Sequence, residues 1–444
     1  MTLQSWRGLW TFLAVYALAL ALLLPRLSLW LDEILALTVS IQPDLASFLE
    51  QMKVMKGATP VEFLLSGWTM ALLGKTAFAG RLYSAVASVA ACGGIFLLAR
   101  RLGLRTPLAA VCLFALCPLQ FRYAMETRPY ALALCLNIWS TLAFLSLLDR
   151  PKSRSRLALY AGLQFLTAYT MVYALFASAA HLLWLVGTAV GRRVDRRVLI
   201  FCGAAVLVAC VSLAPWYLMF QNDWALAEPE SVTSLRAFIG VVLREITGAG
   251  YFGSLLLLSG VWGAFRGPSE GRAFYVVYSV TPLVLAPLAD LAFSHFFAIR
   301  QVIFSLPPLL LLFALGAESL GRAGKVLLIA FLAAALYADV TWMTKPRENW
   351  EEAAAAASRA VADGACVVFV PPDAFRMFEY FQPQLLNRQC QPNDGGQVIL
   401  AISPYDSNVV YSQVWDGLMA RGYLKESEMA FNGPRVELFR NATH

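Results

Sequence analysis

Charged side chains are scarce in this chain. Only 14% of its 444 residues are Asp, Glu, Lys or Arg, where a soluble domain carries about 25%. So little charge cannot solvate the surface of a globular protein this long, which excludes a freely soluble fold. Histidine is rarer still: His181, His295 and His444 stand far apart. No CxxC pair or His-rich stretch offers metal-ligand spacing. No glycine-rich phosphate loop and no internal repeat is present, which argues against P-loop nucleotide chemistry and a solenoid. Six of the eight cysteines (Cys92, Cys112, Cys117, Cys135, Cys202, Cys210) lie in apolar runs, where small packing residues are the ordinary reading.

Long hydrophobic runs are what the sequence has instead. With 59% hydrophobic residues and a mean hydropathy of +0.62, it reads as a polytopic α-helical membrane protein. About eleven spans are expected: 9–27, 82–99, 107–121, 131–148, 157–172, 174–190, 198–219, 251–265, 273–293, 301–320 and 325–343. The first follows Arg7 but lacks a small-residue cleavage site, so it reads as a retained span. The run 60–74 is apolar but short and contains Glu62, which favours an interfacial or re-entrant helix.

The positive-inside rule then sets the orientation. With a cytoplasmic N-terminus, the inner loops collect Arg100, Arg101 and Arg105, the Arg150–Arg156 cluster, the Arg192–Arg197 cluster, Arg266 and Arg272, and Arg322 and Lys325. Counting 60–74 as a span and reversing the N-terminus satisfies the same rule, so the length of 60–74 decides. The transmembrane module is expected over 1–343, with a long first extracytoplasmic loop at 28–81. The stretch 344–444 is expected outside, as a small α/β domain with a helix over 351–363, strands at 366–370 and 398–402, a helix over 414–421 and a strand at 436–440. The expected setting is a bacterial cytoplasmic (inner) membrane. Cys366 and Cys390 both fall in the outer domain, where an oxidising compartment would allow a disulfide. The chain's net charge of +7 belongs to the cytoplasmic loop edges; nucleic acid is not an expected partner.

Against this apolar background a few charges stand out. Asp32 and Glu33 sit just beyond the first span, flanked by Trp30-Leu31 and Ile34-Leu35. An acidic pair at a membrane face is costly to place and is a functional candidate on that ground. After the third expected span comes Gln120-Phe121-Arg122-Tyr123-Ala124-Met125-Glu126-Thr127-Arg128-Pro129-Tyr130. Pro129 makes this a tight turn that can open a helix. Its charges admit ordinary solvation or recognition of a phosphorylated lipid or sugar. Asp290 to Arg300 joins the ninth and tenth spans. Arg300 could snorkel to headgroups or bind a ligand, and His295 could be an interfacial hydrogen-bonding residue or act directly. Asp339, near an outer span end, could pair with such bases, and Glu318 near an inner end could snorkel.

These segments together resemble the GT-C class of membrane glycosyltransferases, in particular the family 39-like group of protein O-mannosyltransferases and their lipid A aminoarabinose transferase relatives. Asp32-Glu33 is similar to that family's loop-one acidic signature. Glu126-Thr127-Arg128-Pro129-Tyr130-Ala131-Leu132 is close to its Glu-Ala-Arg-Pro-Tyr-Ala-Leu, and Thr59-Pro60-Val61-Glu62-Phe63-Leu64-Leu65 resembles its His-Pro-Pro-Leu-Tyr segment. Gly80-Arg81-Leu82, Arg300 before Leu306-Pro307-Pro308, and Asn349-Trp350 resemble further family segments in order along the chain. Two family histidines are missing: Thr59 stands where His-Pro-Pro begins, and Met171 replaces the histidine of Thr-His-Tyr.

The resemblance implies an inverting transfer of a sugar, hexosyl or pentosyl, from a polyprenyl-phosphate carrier to an acceptor hydroxyl in the cell envelope. Lipid, polysaccharide or protein could be the acceptor. Asp32 would be the catalytic base, with Glu33 orienting it or the acceptor. Arg128 and Arg300 would hold the carrier phosphate, with Glu126, Tyr130, Lys56 and His295 further donor-site candidates. No metal ligand set is assigned, and a divalent cation is left open as the only candidate cofactor. Two other readings fit parts of the sequence. A transporter or flippase of polyprenyl-linked lipids would place charges deep within several spans and show inverted repeats; a non-catalytic binder of lipid-linked sugars would keep the fold without the chemistry.

The orientation predicts that a reporter enzyme active only outside the cytoplasmic membrane is active when fused after residue 444 and inactive when fused at residue 195.

Overall fold

A computed structural model of the chain describes residues 3–53, 55, 58–190, 196–220, 235–266, 271–293, 298–390, 396–405 and 408–442. The elements run in chain order. Helix α1 (Leu3–Leu23) is followed by two short helices, α2 (Leu31–Ser40) and α3 (Leu45–Met52), then by α4 (Val61–Leu73) and α5 (Ala77–Arg101). Helices α6 (Pro107–Ala115) and α7 (Pro118–Ala124) lead to α8 (Tyr130–Asp149), α9 (Arg154–Thr170) and α10 (Leu175–Val190). Next come α11 (Arg196–Ser212), α12 (Ala214–Phe220), α13 (Leu235–Glu245), α14 (Gly250–Ala264) and α15 (Arg272–Phe293). Helices α16 (Leu306–Ser319) and α17 (Arg322–Thr344) complete the apolar series. Beyond them lie α18 (Trp350–Ala362), β1 (Cys366–Val370), α19 (Phe375–Phe381), β2 (Gln397–Ile402), α20 (Val409–Ala420), β3 (Tyr423–Ala430) and β4 (Arg435–Asn441).

Among the described residues, seven helical segments are long and apolar enough to cross a membrane, and up to nine if each bent pair counts as one span. The expectation of about eleven therefore changes at four places. The runs at 107–121 and 251–265 belong to bent pairs: α6 with α7 at 66°, and α13 with α14 at 87°. The first bend falls where Pro118 follows Cys117, since proline removes a backbone donor and disfavours a helical residue before it. The run at 157–172 is α9, of 17 residues, and 301–320 contains α16, of 14 residues. Both fall short of the roughly 20 residues a straight span needs. Helix α4, with 13 residues, is likewise too short, in keeping with its interfacial or re-entrant reading.

The chain divides into two compact units, Met1–Leu24 with Met52–Met343, and Pro25–Gln51 with Thr344–His444. This differs from a division into 1–343 and 344–444, because half of the first loop joins the C-terminal segment. The reason lies in the contacts of α2, described below.

In the first unit, small residues let backbones approach, as in membrane helix pairs generally. A Cβ at Gly316 of α16 would lie 1.8 Å from the Gly260 carbonyl of α14, and one at Gly260 would lie 1.7 Å from the Phe313 ring. Polar side chains buried in the bundle satisfy one another. Tyr16 meets Ser88 at 3.0 Å, and Gln120 donates to Ser88 at 2.5 Å, tying α1, α5 and α7 together. His181 lies against Phe144 with ring centroids 4.5 Å apart and bonds to Thr141 and Tyr160 at 3.1 and 3.3 Å. Glu318 is a cap: its carboxylate accepts the backbone N–H groups of Arg105 and Thr106 at 3.0 and 2.7 Å, at the start of α6.

In the second unit, four strands form a sheet of order β1-β2-β4-β3. β1 and β2 are parallel, while β4 runs antiparallel to both β2 and β3. The core gathers Val370, Val398, Leu400, Ile402, Leu418, Tyr423 and Phe439. Helix α18 buries Trp350, Ala353, Ala354, Ala357 and Val361, the spacing of one helical face. Asn349 caps it by accepting the Glu352 N–H at 3.2 Å. Cys366 and Cys390 form a disulfide. Strand β3, with mostly exposed residues such as Glu426 and Glu428, gives no apolar alternation and was not expected.

Because a backbone carbonyl cannot swing aside, Gly316→Ala should force α14 and α16 apart. The expected loss is about 1–3 kcal/mol of stability, read as a lower unfolding temperature in detergent.

Candidate functional site

Each unit holds part of the expected constellation. In the second unit, Asp32 and Glu33 occupy the first turn of α2. The positive end of the helix dipole and its unsatisfied N–H groups favour negative charge there. Successive helical residues point about 100° apart, so the two adjacent carboxylates face different surroundings. Glu33 is fully buried, while Asp32 is half-buried. Arg347 stands 3.9 Å from the Glu33 carboxylate, too long for a hydrogen bond but close enough to offset a buried charge.

The N-cap position of α2 is Trp30, which is extended and provides no side-chain cap. Its carbonyl accepts the N–H groups of Glu33 and Ile34 at 3.0 and 3.1 Å. The N–H of Leu31 finds its acceptor 317 residues away, in Glu348 Oε2 at 3.1 Å. The same oxygen accepts the Trp350 indole N–H at 2.6 Å, and Glu348 Oε1 accepts the Tyr405 hydroxyl. The Tyr405 hydroxyl is pushed well above the usual tyrosine range by desolvation, by its bond to Glu348, and by the charges of Glu348 and Asp32.

In the first unit, the turn between α7 and α8 brings Glu126, Arg128 and Tyr130 together. Glu126 and Tyr130 are buried. The Arg128 N–H bonds to the Glu126 carbonyl at 2.9 Å, and its guanidinium donates to the Tyr130 hydroxyl at 3.2 Å. The Tyr123 and Tyr130 rings lie 4.2 Å apart. Arg300, in a short 3-10 turn ahead of α16, joins them: Tyr123 is within electrostatic reach of Tyr130, Glu126, Arg300 and Arg128 alike. Two guanidinium groups thus share one tyrosine-lined neighbourhood, a setting suited to a phosphate.

Lys56 and His295 lie outside the described residues. Arg122, in the last turn of α7, donates to the Gly248 carbonyl at 3.2 Å and lies 5.7 Å from the Trp342 ring. Asp339 is within electrostatic reach of Arg122. Its buried carboxylate oxygens have no hydrogen-bond partner among the described residues. Arg81 is fully buried and donates to the Leu24 carbonyl at 2.8 Å, which gives it a structural task. Trp216 donates to the Ala58 carbonyl at 3.0 Å. Among the described residues, no group of three or more His, Cys, Asp or Glu side chains could hold a metal ion.

Sequence reasoning missed Glu348, Arg347 and Tyr405. The only signal nearby was Trp350, flagged for its resemblance to a family segment; nothing local connects Glu348 to residue 31.

Comparison with known proteins follows the same outline. Residues 58–216 match the family model described as dolichyl-phosphate-mannose-protein mannosyltransferase. The matched stretch includes the Glu126–Tyr130 turn and begins after Asp32 and Glu33. No curated protein matches the chain in sequence. Among solved structures, ArnT from Cupriavidus metallidurans bound to undecaprenyl phosphate is similar with a TM-score of 0.64 at 12% identity, over 97% of this chain and 98% of that one. The apo state of the same protein gives a TM-score of 0.60 at 12% identity and the same coverage. The chain is a multi-pass membrane protein with the GT-C fold.

Removing the cation beside buried Glu33 should be costly. Arg347→Met is expected to lose about 3 kcal/mol of stability, and adding Glu33→Gln should recover most of it, both read by thermal unfolding in detergent.

Proposed function

We propose that the protein is an inverting glycosyltransferase that moves a sugar from a polyprenyl-phosphate carrier to an acceptor hydroxyl. The observation that carries this reading is the guanidinium pair, Arg128 and Arg300. Both lie within electrostatic reach of Tyr123, in a chain whose fold is that of a protein solved with undecaprenyl phosphate.

Asp32 is the base. As the acceptor oxygen attacks the anomeric carbon, its carboxylate takes the hydroxyl proton. The bond from the anomeric carbon to the phosphate oxygen breaks, and the electron pair leaves with the carrier phosphate. That group needs no strong acid; cations that meet its developing charge suffice, and Arg128 and Arg300 provide them. Glu33, buried beside Arg347, acts as support. The sugar is a hexosyl or pentosyl unit, and the acceptor is a lipid, polysaccharide or protein of the envelope. The work is done on the outer side of the cytoplasmic membrane; the Cys366–Cys390 disulfide supports that side, since such bonds persist in oxidising compartments. A flippase of carrier lipids gains no support from the fold.

Transfer from a panel of polyprenyl-phosphate sugars by purified protein tests this directly. Asp32→Asn is expected to lower turnover by about 10²–10⁴, and near wild-type transfer by that variant would remove Asp32 as the base. Arg128→Ala and Arg300→Ala should each weaken polyprenyl-phosphate binding by about 1.5–3 kcal/mol, or roughly 10–150-fold, in a direct binding assay. Consumption of no donor by the wild type, with binding retained, would instead favour a non-catalytic binder.

A further inference from the structure

Glu348 sits where two sequence-distant segments meet within the second unit, and its hydrogen bonds have an unusual distribution. One carboxylate oxygen serves the first backbone N–H of α2 and the Trp350 indole, and the other serves the Tyr405 hydroxyl. Trp350 is buried in the core of this unit, against Phe378 with ring centroids 5.7 Å apart. Glu348 is therefore anchored on a rigid element before it reaches α2. Helix α2 has no cap of its own and only ten residues. A helix this short is marginal alone, so its first turn is ordered by what it bonds to outside itself. Asp32 is the residue immediately after the capped N–H. The Tyr405 hydroxyl, held by the other oxygen, lies within electrostatic reach of Asp32.

From this juxtaposition we infer that Glu348 is a positioning residue for Asp32: it caps the turn that carries the base and fixes where that carboxylate points. The inference rests on the reading of Asp32 as the base. Glu348 takes no proton and touches no reacting atom. Its effect is on the geometry of the attack, where a misplacement of about 1 Å can cost about 10²-fold. The role is one of shape more than charge. A glutamine at 348 can still accept from Leu31 and Trp350 through its carbonyl oxygen, and its amide can donate to the Tyr405 oxygen.

The test compares Glu348→Ala, Glu348→Gln, Asp32→Asn and the Asp32→Asn/Glu348→Ala double variant in the full-length protein, by steady-state sugar transfer and by unfolding temperature in detergent. Glu348→Ala is expected to lower kcat by about 10–100-fold with the KM for the donor unchanged. Glu348→Gln should stay within about threefold of wild type. The double variant should be no slower than Asp32→Asn alone, because a residue acting through another adds nothing once that one is gone. Should Glu348→Ala fail to fold, the glutamine rescue cannot stand in for it; Tyr405→Phe combined with Trp350→Phe then loosens the same carboxylate and is expected to show the same kcat loss and the same non-additivity. If Glu348→Ala or its substitute keeps wild-type kcat while Asp32→Asn is inactive, the positioning role is overturned and the base stands. Additive losses in the double variant overturn it as well. If Asp32→Asn is fully active, both the base and the positioning role fall together.

Discussion

Backbone donors at helix N-termini have to find acceptors wherever water is scarce, and that constraint shapes both units of this protein. Among the helices that begin without a side-chain cap are α2 at Trp30 and α6 at Thr106. Each takes a carboxylate from far along the chain: Glu348 for α2, and Glu318 for α6. A carboxylate so placed meets partial positive charge and several donors at once, which makes its burial tolerable. In exchange, the helix start is pinned in position. For α6 the result is structural. For α2 it bears on chemistry, since the pinned turn carries Asp32 and Glu33.

The two carboxylates of that turn meet different surroundings because a helix separates adjacent residues in direction. Glu33 is turned inward, fully buried, beside Arg347. Asp32 stays partly accessible, as the proposed role of base requires. In the first unit the division is between Arg128 and Arg300 on one hand and Arg81 and Arg122 on the other. Arg81 and Arg122 are engaged with backbone carbonyls of Leu24 and Gly248. Arg128 and Arg300 both lie within electrostatic reach of Tyr123, whose ring packs on Tyr130.

Much of this was legible in the residues themselves. Apolar length marked the long helices, and short apolar runs marked β1, β2 and β4. Proline and charge marked the Glu126–Tyr130 turn. Where length alone was used, the reading overcounted: α9 and α16 are helices, but short ones, and the runs around Pro118 and Gly250 belong to bent pairs. Hydropathy averages over a window and carries no information about bends. The edge strand β3 escaped because its side chains face solvent, so no apolar period betrays it. Glu318 was read as snorkelling, a local interpretation, whereas its partners lie 212 and 213 residues earlier.

The sequence by itself determined that this is a multi-pass membrane protein, that its C-terminal segment is an α/β fold, and that Asp32, Glu33, Arg128 and Arg300 are its costly charges. Those properties are local: they follow from composition, period and the price of polar groups near lipid. Only the tertiary structure decided that Pro25–Gln51 folds with the C-terminal segment, that Glu33 and not Asp32 is the buried member of the pair, and that Glu348 completes the start of α2. These depend on hydrogen bonds between residues hundreds of positions apart, and no local pattern in a chain encodes which distant carboxylate an uncapped helix will find.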